Sequence, residues 1–195
     1  MRTERTLQQA ALDLFAKQGY DETTTEEIAE RAGVSPRTFF RYFATKESVL
    51  FVGQYGWFQS FTSAFLNHPR TVSEYEAISQ TLVGLAGSLA PRRKALLLYE
   101  RAVASSPALR GRVHDNLQEE ISVVADAIAT RRELKQPDES CLLLAHISLV
   151  TNRRALTQWL EGPANVDPGE VIAAEFELLS GMLTPTKSNG RRQRT

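Results

Sequence analysis

One cysteine, Cys141, stands among 195 residues, so no disulfide can form within the chain and nothing calls for an oxidising compartment. No apolar run approaches the ~18–20 residues needed to cross a bilayer. The opening Met1-Arg2-Thr3-Glu4-Arg5 has no apolar core of a secretory signal. A cytoplasmic protein without a membrane partner is expected, with Cys141 as a small buried hydrophobe. Histidine is also scarce: His68, His114 and His146 have no i, i+4 partner among themselves. No H-E-x-x-H, metal-spaced Cys/His set, G-x-S-x-G elbow or phosphate-cradling glycine loop occurs. No catalytic residue, metal site or cofactor is therefore expected.

Net charge is absent as well, 23 basic residues balancing 23 acidic ones, but the charges are unevenly placed. From Arg31 to Lys46 the chain carries Arg31, Arg37, Arg41 and Lys46 and no acid, while Asp21, Glu22, Glu26, Glu27 and Glu30 lie just upstream. Phosphate contact depends on which face is basic, not on the whole-chain sum. Strand-like alternation is missing too, and Gly/Pro punctuation separates segments of helical length. Leu7, Ala11, Leu14 and Phe15 form an apolar stripe over 3–18, closed by Gly19. Thr24-x-x-Glu27 is a capping box for a second helix. A third starts at Ser35 with Pro36 at its first position. Further helices are expected at 46–67, 73–89, 92–104, 107–132, 138–161 and 168–183. The whole is an all-α fold of about nine helices.

Two short helices joined by Ala32-Gly33-Val34 have the form of a helix-turn-helix. Ile28 and Ala29 face Val34, Phe39 and Phe43, which leaves Arg37 and Arg41, four residues apart, on the outer face of the second helix. An arginine fork can bond guanine O6 and N7 together. Thr38, Tyr42 and Lys46 offer donors to phosphates, and the helix start at Thr24 and Thr25 offers backbone N–H groups.

Residues 24–47 carry T-x-x-x-I-A-x-x-A-G-V-S-x-x-T-x-F-x-Y-F-x-x-K-E, which resembles the N-terminal signature of TetR-family regulators; with the first helix the likeness covers roughly residues 3–50. The resemblance implies a homodimer on a near-palindromic DNA operator, repressing until a small molecule binds the C-terminal domain. It further implies DNA contacts at Ser35, Arg37, Thr38, Phe40, Tyr42 and Lys46, to which the reading of the helices adds Thr24, Thr25, Pro36 and Arg41. Phe40 stands where tyrosine is frequent, replacing a hydroxyl contact by an apolar one. Arg37 stands where glycine is common, which adds a base-reading arm.

The domain organisation expected is 1–48 for DNA binding, 49–184 for ligand sensing and dimerisation, and 185–195 as a disordered basic tail. At ~100° per residue, Val171, Ala174, Leu178 and Met182 form one stripe of the last helix, and Ile172, Phe176, Leu179 and Leu183 another. Two stripes suggest burial on two sides. With a similar face on 138–161, Leu149, Leu156, Leu178 and Met182 are expected at a four-helix dimer interface. Trp57, Phe61, Tyr99, His114 and His146 are candidates for a ligand pocket, as is Asn152, and Arg92-Arg93-Lys94 could hold an anionic head group. The effector expected is a hydrophobic or acyl-CoA-type small molecule. The competing classes are a helical interaction module and a small enzyme, neither binding DNA.

Overall fold

The computed structural model describes residues 2–51 and 54–183, so the tail expected at 185–195 lies outside the described residues. Among them are nine α-helices and two short 3-10 segments, with no strand. The helices are α1 (Arg2–Gln18), α2 (Thr25–Arg31), α3 (Pro36–Tyr42), α4 (Gln54–Leu66), α5 (Glu74–Ala86), α6 (Arg93–Ser105), α7 (Pro107–Arg131), α8 (Glu139–Glu161) and α9 (Pro168–Leu183).

Their ends are set by local chemistry. Gly19 takes φ +90° after α1, a left-handed conformation that costs glycine little. Ser106 caps α7 ahead of Pro107, and Asp138 accepts the Cys141 N–H at 2.8 Å to open α8. One expectation is revised. In place of a single helix over 46–67 there is a 3-10 segment, Glu47–Phe51, and α4 begins only at Gln54. The break falls between two hydrophobic cores: Val49 and Leu50 are buried in the first, Phe61 and Phe65 in the second.

The first core holds the N-terminal head together. Leu7, Ala11 and Phe15 of α1 meet Ile28 and Ala29 of α2 and Phe39 of α3, all 2% exposed or less. Ala102, Val103 and Leu109 of α6 and α7 complete it, so the head shares a packed seam with the rest of the chain. The second core belongs to the body, where α4, α5, α7, α8 and α9 bury Phe61, Ile78, Ile128, Ala145 and Phe176. Cys141 lies fully buried there. Arg93 is spent on structure: its guanidinium donates to the carbonyls of Leu160 at 2.8 Å and Gly162 at 2.7 Å, closing the C-terminus of α8.

Candidate nucleic-acid interface and effector cavity

The capping box at the start of α2 is formed. Thr24 Oγ accepts from the Glu27 N–H at 3.2 Å, and Glu27 Oε2 accepts from the Thr24 N–H at 2.8 Å. The chain then reverses at Gly33, φ +69°, and the Val34 N–H returns to the Ala29 carbonyl at 2.9 Å. Ser35 caps α3 by accepting from the Thr38 N–H at 3.2 Å. Phe39, fully buried, pins α3 against the head. With one face so fixed, Ser35, Pro36, Arg37, Phe40, Arg41 and Tyr42 stand exposed, and Thr38 is half-buried.

The four cations between Arg31 and Lys46 divide in two. Arg31 pairs with Asp13 of α1 at 3.4 Å. Lys46 Nζ donates to the Tyr20 carbonyl at 2.6 Å and the Thr23 carbonyl at 2.8 Å, 4.0 Å from the centre of the Tyr20 ring. Burial pulls the Lys46 pKa down, against the pull of Asp21 and Glu47. The ammonium expected at a phosphate is thus turned inward, where it ties the α1–α2 turn. Arg37 has no hydrogen bond or ion pair among the described residues, and Arg41 only lies against the Tyr42 ring, 5.2 Å from its centre. Thr24 and Thr25 are also engaged locally, their hydroxyls donating to Glu27 and Glu26. What faces outward unpaired is the arginine pair of α3.

The body carries a half-open cavity of roughly 280 Å³. Trp57 and Tyr99 line it, as the sequence suggested, together with Asn152, Arg92, Glu120 and Arg153. Phe61 does not: it is sealed in the core between the Trp57 and Phe65 rings, at 5.4 and 5.8 Å between centres. His114 and His146 are exposed and off the wall, with His146 Nδ1 2.9 Å from the Leu142 carbonyl of its own helix. Glu120 and Arg153 were not anticipated, because charges on long helices ordinarily read as solvated. Burial holds the Glu120 carboxyl above its ordinary range, opposed by Arg153. Burial likewise pushes the Tyr99 hydroxyl up to about 12.

The expected dimer residues separate. Leu178 and Met182 of α9 are 53% and 75% exposed, joined on α8 by Leu143 and Val150 at 61% and 58%. Leu149 and Leu156, by contrast, turn inward onto the cavity wall. With Leu183 at the end of α9, five of the nine exposed large hydrophobics among the described residues thus lie on two helices packed together.

Fold and site together define a helix-turn-helix transcription regulator. The chain matches the family model "Bacterial regulatory proteins, tetR family" over residues 7–51 and the "MftR C-terminal domain" over residues 75–184; it belongs to the TetR family. Among curated relatives it is 40% identical over 86 residues to the HTH-type transcriptional regulator TcmR of Streptomyces glaucescens, a stretch covering 44% of this chain and 38% of TcmR. It is 46% identical over 48 residues to the HTH-type regulator YvkB of Bacillus subtilis, a quarter of each chain. Similar solved structures include Thermus thermophilus FadR in complex with lauroyl-CoA (TM-score 0.60, 22% identity, 95% of this chain and 97% of that one). Another is SmeT in complex with triclosan (TM-score 0.65, 16% identity, 93% and 91%).

Proposed function

We propose that this protein is a cytoplasmic repressor that binds a near-palindromic operator as a homodimer and releases it when a hydrophobic small molecule enters the cavity. It performs no catalysis. The observation that carries the DNA-binding half is the exposed, unpaired Arg37–Arg41 face of α3 on a helix fixed by buried Phe39. Arg37 reads a guanine in each half-site, Arg41 and Tyr42 hold phosphates, and Phe40, 52% exposed, meets a thymine methyl or a sugar. Residues 1–48 form the reading head and 49–184 the sensing and dimerising body.

The apolar strip of Leu143, Val150, Leu178 and Met182 supports the dimer. A two-fold axis through it gives two recognition helices about one DNA turn apart, ~34–36 Å. The effector is a hydrophobic small molecule. An acyl-CoA thioester like that bound by FadR is the larger candidate, with Arg92 at the wall to receive a phosphate. Coupling runs along α7, which carries Glu120 at the cavity. Nearer its N-terminus, Arg112 pairs with Glu47 of the head at 3.1 Å. Glu47 also accepts from the Tyr20 hydroxyl at 3.1 Å, and burial and Glu47 push that hydroxyl up to about 12, so it remains a donor. A ligand that displaces α7 changes this clasp, and differential affinity for the two states lowers operator affinity.

The test is selection of a binding site from random duplexes, followed by fluorescence anisotropy across a salt series. A palindromic site whose affinity falls steeply with salt is expected. Arg37→Ala should lose roughly 1–3 kcal/mol of preference at one base position per half-site. Indifference to every duplex at low ionic strength would remove the regulator reading.

A further inference from the structure

Three polar groups on the cavity wall lack a protein partner. Asn152 Oδ1 is buried with no hydrogen bond. Neither the Tyr99 hydroxyl nor the Glu120 carboxyl makes a hydrogen bond or ion pair with any described residue, although both lie in the wall. An unpaired buried polar group is destabilising; the buried Asn152 oxygen is such a group and only accepts, and the half-buried Glu120 carboxylate of the same wall accepts as well. Most of the remaining wall is aromatic and aliphatic, with Trp57, Trp159 and Leu82 among it. An apolar chamber with a few convergent polar groups is the usual form of a small-molecule site.

Charge and size narrow the occupant. Two guanidinium groups, Arg92 and Arg153, stand against two carboxyls, Glu100 and Glu120, so the wall has no formal excess to attract an ion of either sign. The volume of roughly 280 Å³ lies just under the ~300–1,000 Å³ range of small-molecule pockets, which favours a compact ligand over a long acyl chain lying wholly inside. Resting on the reading of this cavity as the effector site, we propose that the effector is a small, neutral, aromatic molecule bearing a hydroxyl, a phenol in kind, which donates to Glu120 or Asn152 while its ring packs against Trp57. The raised pKa of the Glu120 carboxyl agrees with a site that lacks, and would gain from, a donor.

Isothermal titration calorimetry of the full chain without DNA tests this with three probes: 2-naphthol, 2-methoxynaphthalene and lauroyl-CoA. Naphthol should bind about tenfold more tightly than its methyl ether, which has the same rings and no donor, a difference of ~1.4 kcal/mol. That advantage should shrink to about twofold or less in Glu120→Met or in Asn152→Leu, each checked for folding by circular dichroism. Equal affinity of naphthol and its ether, no binding of naphthol, or tighter binding of lauroyl-CoA than of naphthol each overturns the proposal. Duplex binding by the ligand-free chain is measured separately, so these failures leave the regulator reading standing, and loss of duplex binding removes that reading by itself.

Discussion

The head and the body place their polar side chains in opposite ways. In the head, polar groups near the turn find protein partners, as Thr24 does with Glu27 and Lys46 with the Tyr20 and Thr23 carbonyls, or stand in water, as Arg37 does. On the cavity wall of the body, Asn152 Oδ1 is withdrawn from water and left without a partner, and Glu120 and Tyr99 stand half-buried with no hydrogen bond to any described residue. A solvated arginine costs the free protein almost nothing and gains only when a phosphate or guanine replaces its water. A buried unpaired oxygen such as that of Asn152 destabilises the free protein, as does a partly desolvated carboxyl, and a ligand that pairs them restores that loss. DNA recognition should therefore draw on electrostatics with little effect on stability, whereas effector binding should register as stabilisation.

The sharpest way to break this contrast is at the residue that orients the head. Phe39 is fully buried, meets Phe40 edge to face and packs against a tilted Phe43 ring. Phe39→Ala should cost ~3–5 kcal/mol, read from urea denaturation, and duplex binding should disappear with it. A loss below ~1 kcal/mol would mean that something else fixes α3. Next in size is the body's outer face. Leu178→Asp places a charge on the exposed strip, so sedimentation should report half the mass of the wild type with the helical circular dichroism unchanged. An unaltered mass would move the dimer interface elsewhere.

Legibility in the sequence followed the range of the interactions. The α2–turn–α3 unit is specified by neighbours: a capping box, Gly33 at positive φ, and Pro36 at the start of α3. All of these could be read from residue types alone. The body could not be read so fully. Helical periodicity says that a face is buried but not against what, and the 141–150 stretch of α8 carries apolar residues on most sides. Leu149 and Leu156 therefore looked like interface residues, while Leu143 and Val150 form the outer strip. The apolar period also runs unbroken past Val49 and Leu50, although the chain changes cores there. Glu120 sits beside Glu119 and reads as a solvated pair, and only the packing of α7 among α6 and α8 puts it on a cavity wall.

Lys46 tests the head's side of the contrast more finely. Its sequence position suggested a phosphate contact, but its ammonium is held by two backbone carbonyls of the α1–α2 turn. Lys46→Met keeps the length of the stem and removes the charge. The expected outcome is a lower melting temperature with the salt dependence of duplex binding unchanged. If the logarithmic salt slope instead fell by about one, Lys46 would be a phosphate contact after all.

The smallest expected effect probes the body's side, through the pH dependence of stability. The Glu120 carboxyl titrates above its ordinary range in the folded chain because it is buried, with Arg153 opposing. Between the unfolded value, ~4.3, and the raised folded value, the folded state binds more protons than the unfolded one. Stability therefore falls as pH rises through that window. Below the window the carboxyl is neutral in both states and makes no difference; above it the deficit is complete and constant. Glu120→Gln does not titrate at this position, so its stability relative to wild type should climb from about pH 4 upward and then level off, as read from urea midpoints at closely spaced pH values. A difference that stays flat from pH 4 to 8 would mean that the carboxyl is well solvated, and the contrast between head and body would lose its chief support.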